Sequence, residues 1–185
     1  MSIISETLKF EMPPKEKVLL LAKQIKDRSD YLTEMADYCR SASDAEKAIC
    51  LASVNHIAKD DPTFVKNHLD FIIGQLGSTS AQVKLDAGEI IASSAKTYPD
   101  QTAKAIPALM EMAKDQGSIV RWGAASGLTA IARNNNDAKT RRELIRFFKA
   151  EAKKEKLNTV RNLYLDALTA LGKGKPQNTS NPETS

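Results

Sequence analysis

Near-identical segment endings recur at a step of about 37 residues, and this periodicity constrains the fold more than any other feature of the chain. NHIAKDDP (55–62), ASSAKTYP (92–99) and TAIARNNN (129–136) place Ala58-Lys59, Ala95-Lys96 and Ala132-Arg133 in register, with Pro62 and Pro99 also matching. A fourth copy, DALTALGKGKP (166–176), follows after a step of 40, with Gly172-Lys173 in the same slot. A unit this short cannot enclose a core alone. It buries its apolar face only by stacking against similar units.

Within each unit the apolar spacing is helical. In QVKLDAGEIIASSAK, Val83, Ala87, Ile90, Ile91 and Ala95 share one helix face. Val120, Ala124, Leu128 and Ile131 repeat the pattern in the next unit, and Val160, Tyr164, Leu168 and Leu171 in the last. Asp44, Ser80, Ser118 and Asn158 open or precede these second helices as N-terminal caps. Earlier in each unit, Leu69, Ile72 and Leu76 align with Ile106, Leu109 and Ala113, then with Ile145, Phe148 and Ala152. Projection backwards reaches Leu32, Met35 and Cys39. Each unit is therefore expected to be a helical hairpin. Pro99 suits a helix start, whereas Pro107 removes a mid-helix donor and is expected to bend the first helix of the third unit.

The expected organisation is an N-terminal arm (1–13) followed by a repeat domain (14–173) and a disordered tail (174–185). Within the domain, a capping helix (14–27) precedes repeats at about 28–61, 62–98, 99–137 and 138–173. The cap supplies the polar outer face that a stacked array needs at its end. The tail, KPQNTSNPETS from Lys175, has no apolar anchor.

Residues 28–173 resemble the HEAT-repeat family, alpha-solenoids of armadillo type. The residues that carry the likeness are the paired helices, Val83-Lys84 with Ala87, Val120-Arg121 with Ala124, and the proline of the first helix. Val160-Arg161 continues the pattern with Tyr164 in place of alanine, and Glu46-Lys47 departs from it in repeat one. The resemblance implies an all-α, short right-handed alpha-alpha superhelix of about four hairpins. It also implies a binding scaffold whose second helices line the concave side.

Two basic rows are the leading candidate site. Lys47, Lys84, Arg121 and Arg161 occupy one repeat position near the start of each second helix; Lys59, Lys96, Arg133 and Lys173 occupy another twelve residues later. Twelve residues rise about 18 Å along a helix. Between the rows lie Leu51-Asn55, Gly88-Ala92, Ala125-Thr129 and Leu165-Thr169. Two roles fit: the rows border an electropositive groove, or the early row ties neighbouring repeats together while the late row complements helix C-termini. Charge is uneven along the chain. Residues 133–175 hold 12 Lys/Arg against 5 Asp/Glu, a net of +7, whereas residues 1–132 hold 15 against 17. An anionic partner is expected, with an acidic or extended protein segment first and nucleic acid as the alternative. Aromatic residues make up only 5% of the chain, and only Trp122 adjoins a basic-row residue, which weakens the nucleic-acid reading.

Little points to catalysis. His56 and His68 have no companions at metal-ligand or catalytic spacing, and Glu89 and Asp166 sit at matching repeat positions two units apart. Gly172-Lys173-Gly174-Lys175 lacks the strand and the Ser/Thr-led helix of a phosphate loop. Hence no enzyme activity, cofactor or metal is expected. Cys39 and Cys50 fall at core positions and are expected as buried thiols. No apolar run approaches the roughly 18 residues that a membrane span needs, and a cytosolic location is the expectation.

Overall fold

A computed structural model describes residues 2–172. In chain order the helices are α1 (Ile3–Lys9), α2 (Pro14–Asp27), α3 (Asp30–Tyr38) and α4 (Asp44–Asp60). A 3-10 helix (Pro62–His68) leads into α5 (Leu69–Gln75) and α6 (Ala81–Ser94). Then come α7 (Pro99–Ala103), α8 (Ile106–Met112), α9 (Ser118–Asn134), α10 (Ala138–Lys154) and α11 (Asn158–Gly172). The long helices α2, α4, α6, α9 and α11 pack side by side in that order, and the shorter helices and α10 form a second layer against them. This is the all-α superhelix of stacked helical units that the repeat requires.

The helix starts are encoded locally. Ser43 accepts from the Glu46 N–H while the Glu46 carboxylate accepts from the Ser43 N–H, closing a capping box one residue before Asp44. Ser80 caps α6 as expected, but α9 starts at Gly117 without a side-chain cap. One continuous core runs between the layers, with Leu21, Ile57, Ile72, Ile90, Leu128, Phe148 and Tyr164 essentially inaccessible. Phe147, Phe148 and Tyr164 meet with ring centroids 5.4–6.4 Å apart, so the larger Tyr164 fills space at the last repeat that alanines occupy in the middle ones.

Helices α6 and α9 approach backbone to backbone. A Cβ placed on Gly88 would lie 2.6 Å from the Gly123 carbonyl oxygen, and one on Gly123 would lie 3.1 Å from Leu85 Cα. These two glycines let backbone meet backbone, which a methyl group at either position would prevent.

Three sequence expectations are refined. Residues 1–13, read as an arm, carry α1, whose Ile4, Thr7 and Leu8 are buried against α2 and α3. Thr7 donates to Gln24 Oε1 and Lys17 Nζ caps the Leu8 carbonyl, so α1 and α2 form a hairpin of their own rather than a lone cap. The first halves of repeats two and three are each broken into two short helices. Pro107 does not bend a continuous helix: the chain breaks at Lys104-Ala105, which puts Pro107 in the first turn of α8, where no intrahelical donor is needed, and repeat two breaks at the same register, at His68, without a proline. The expected tail (174–185) and Lys173 lie outside the described residues.

Candidate functional site

The early basic row resolves into ties between repeats. Lys84 Nζ lies 3.0 Å from Asp115 Oδ2, reaching from α6 to the loop that precedes α9. Arg121 does the same one repeat later: Nε and Nη2 grip Glu155 at 2.8 and 3.1 Å, and Nη1 donates to the Asp115 and Gln116 carbonyls. Both acids are preset by their own loops, because Gly117 N–H donates to Asp115 and Leu157 N–H to Glu155. The side chains of Arg121 and Glu155 are only 20% and 6% exposed, which marks this pair as the most shielded tie. The bond from Gly117, then that from Lys84, holds the Asp115 carboxyl below its ordinary range. Arg121 does likewise for Glu155. Lys47 and Arg161 hold the same position without a carboxylate among the described residues. The loop facing Lys47 offers Ser78, and Thr79 there bonds Asp44 instead. Arg161 donates to Asn158 Oδ1 in its own helix.

The late row is longer than its sequence spacing suggested. Arg28 and Asp61 terminate α2 and α4 with the same backbone conformation, φ −144° and −143°, so the first step is 33 residues and Lys26 aligns with Lys59. Lys26 pairs with Asp60 at 3.0 Å and Lys59 with Glu89 at 2.9 Å, each reaching the following second helix. The 37-residue step hid Lys26; the shared helix ending would have found it. Lys96 and Arg133 are exposed and form no ion pair among the described residues.

Below Lys59 lies a buried polar knot. Asn55 Nδ2 donates to Asp86 Oδ1 at 2.8 Å and also to Glu89 Oε2, and Gln82 donates to Asp86 Oδ2 at 3.0 Å. Asp86 is 4% exposed, and burial pushes its carboxyl above the ordinary value against the lowering effect of both amides. Asn55 Oδ1 is buried without a partner.

The stripe expected between the rows turns inward. Leu51, Asn55, Gly88, Ala125 and Thr129 are buried between neighbouring second helices, because residues four apart on the packed face meet the next helix and not solvent. The accessible stripe is one position on: Ala52 and His56 on α4, Glu89 and Ser93 on α6, Ser126 and Ala130 on α9. Leu85 and Trp122 lie half-buried beside it. Leu165 and Thr169 are the exception and stand exposed on α11. On α6 and α9 this accessible strip carries the small side chains Ser93, Ser126 and Ala130, and Lys96 and Arg133 lie three residues beyond Ser93 and Ala130.

Two other recesses among the described residues carry no reactive constellation. A cleft of about 390 Å³ beside the Lys84–Asp115 tie is lined by Leu76, Ala108 and Met112. Another of about 460 Å³, near Asp30, Thr33, Phe64 and His68, contains a histidine whose pKa is lowered by burial. Among the described residues no group of three or more His, Cys, Asp or Glu side chains is placed to hold a metal ion, and no described helix is long and apolar enough to cross a membrane. Cys39 and Cys50 are buried free thiols.

No family model matches the chain, and no curated protein matches it. Solved structures do. A designed armadillo repeat protein superposes with a TM-score of 0.68 at 19% identity, over 92% of this chain and 81% of its own. Another, in complex with the peptide (KR)4, gives 0.70 at 18% identity over 92% and 81%. Computationally designed armadillo repeat proteins for modular peptide recognition give 0.67 at 20%, over 91% and 81%. The chain shares their fold, an armadillo-type helical-repeat solenoid.

Proposed function

We propose that this protein is a non-catalytic scaffold that binds an extended, acidic protein segment across its row of second helices. The observation that carries the reading is the pair Lys96 and Arg133. They occupy equivalent positions on neighbouring repeats, both are exposed, and neither is consumed by a described carboxylate, unlike Lys26 and Lys59 in the same row. Packed helices lie about 8–10 Å apart, a distance that three residues of a polyproline-II-like extended chain span at about 3.1 Å each while returning to the same face. Carboxylates three residues apart on a peptide therefore match the two cations, and the small side chains Ser93, Ser126 and Ala130 leave room for its backbone. The designed armadillo protein bound to (KR)4 takes a basic peptide; the free cations here favour the opposite sign. Buried free thiols fit a reducing, cytoplasmic setting.

The test separates binding from architecture. Lys96→Glu with Arg133→Glu should weaken an acidic peptide at least tenfold in a fluorescence titration and leave the melting temperature unchanged. Lys84→Ala and Arg121→Ala should do the reverse, with Arg121→Ala destabilising by about 2–3 kcal/mol because it strands a shielded carboxylate. Unchanged peptide affinity in the double reversal would reject this surface.

Sequence-independent nucleic-acid binding is the second reading, and one observation favours it. Lys139, Arg142, Arg146, Lys149 and Lys153 are all exposed on α10 at spacings of three and four, which places them on one helix face. None of the five joins a described ion pair. Their stripe is about 21 Å long. Steeply salt-dependent DNA binding abolished by Arg142→Glu with Arg146→Glu would establish this reading and move the contact surface from the second helices to α10.

A further inference from the structure

Each cation of the late row faces one position on the following second helix where an acid can close it. Lys59 finds Glu89 there, with Nζ 2.9 Å from Oε2. The repeat places Ala52 at that position for Lys26, Ser126 for Lys96 and Asp166 for Arg133. Lys26 turns instead to Asp60 at the end of α4, where both side chains are exposed. Asp166 is exposed on α11 and joins no described ion pair. Glu89 alone of the four positions therefore closes its cation among the described residues.

Glu89 is also held more firmly than a surface acid. Its side chain is 18% exposed against 54% for Lys59, and the same Oε2 accepts from Asn55 Nδ2 between α4 and α6. A half-buried carboxylate bonded by two donors stays in place, whereas an exposed pair of flexible side chains opens readily. Neither part of this arrangement recurs one repeat on: Ser126 replaces Glu89 and Ala92 replaces Asn55. Lys96 stays open for that reason, because a serine hydroxyl brings no charge to it.

We infer that Glu89 sets the charge pattern that the scaffold accepts, an inference that deepens the scaffold reading and rests on it. By holding Lys59, Glu89 starts the readable row at α6. The partner segment then carries two carboxylates three residues apart, facing Lys96 and Arg133, and no acid three residues further toward α4. A third acid there finds no open cation and meets the Glu89 carboxylate, so the surface discriminates by repulsion as well as by attraction. Glu89 is a positioning residue: it acts through Lys59 and does not itself hold the segment's acids.

The test moves this arrangement by one repeat. Glu89→Gln with Ser126→Glu frees Lys59, closes Lys96 and leaves the net charge unchanged, so long-range attraction is matched between the two proteins. Two fluorescent peptides of equal composition present aspartates three or six residues apart. Wild type should bind the three-residue spacing about fivefold more tightly. In the exchanged variant the open cations Lys59 and Arg133 stand two helices apart, so the six-residue spacing should be preferred by about the same factor. Melting curves confirm that the variant folds. Glu89→Gln alone is the second measurement, with a third aspartate placed three residues before the pair in one peptide and three after it in another. One of these should bind the variant about threefold more tightly than the two-acid peptide does, and neither should gain on wild type. An unchanged order of spacings in the exchanged variant would overturn the inference, as would a third acid that strengthens wild type as much as Glu89→Gln. If the order fails to reverse while Lys96→Glu with Arg133→Glu still abolishes wild-type binding, the role of Glu89 falls and the scaffold reading stands.

Discussion

Asp86 is the residue whose chemistry most opposes its surroundings. Buried between α4 and α6, its carboxyl titrates above its ordinary 3.8 because burial disfavours the charge. A raised acid pKa means that the folded protein is weakened when the group ionises: its contribution is best below 3.8 and is lost as pH rises through the shifted value. Asp86→Asn should therefore stabilise the protein at pH 7 by about 1 kcal/mol, since a neutral amide can also donate to the unpartnered Asn55 Oδ1. Thermal melts should show the gain shrinking as pH falls toward 4. Glu155 and Asp115 carry the opposite sign. Their pKa values are depressed by their partners, so the ties hold above about pH 4.5 and are lost as acid protonates them. The Cys50 thiol is pushed up by its bond to Cys39 and by burial. Neither thiol should react with a thiol-specific reagent until the protein unfolds, and fast labelling of the native protein would contradict the packing seen here. Sequence alone placed both cysteines correctly, because the repeat aligned Cys50 with Ala87 and Ala124. Asp86 was invisible to it: its counterparts Ile49 and Gly123 are apolar, and nothing local marks a buried acid.

At the scale of the helix, backbone proximity decides what a substitution does. Gly88→Ala sets a methyl carbon against the Gly123 carbonyl, so α6 and α9 must separate, at a cost of about 1–3 kcal/mol. Gly127→Ala meets the Leu109 side-chain methyls at 2.9 and 3.1 Å, which can rotate, and the Gly88 carbonyl oxygen no nearer than 3.4 Å, while alanine favours the helix. Chemical denaturation should thus rank Gly88→Ala well below Gly127→Ala; equal losses would mean that the helix contact is looser than described. The helices themselves were legible from apolar spacing and capping residues. Two features were not. The break at His68 has no proline to announce it, and α1 is too short for periodicity to separate it from a loop, being fixed by tertiary contacts of Ile4 and Leu8.

For the whole molecule, repeat spacing revealed the stacked architecture but not the fate of its charges. Eight basic positions read as two uniform rows, yet Lys84 and Arg121 are tied to the next repeat, Lys59 is shared with Glu89, and Lys96 and Arg133 remain available. The difference lies in what the neighbouring repeat presents, a property that no single position encodes. The ties also have a direction. Among the described ion pairs more than four residues apart, Lys26, Lys59, Lys84 and Arg121 reach forward to an acid later in the chain, and the exposed Lys104–Asp70 pair runs back. Synthesis proceeds from the N-terminus, and domains form in that order. Each cation has therefore already left the ribosome when its acid emerges, so a nascent repeat finds its anchor waiting. Folding that follows synthesis would seat each new turn of the solenoid on one already made.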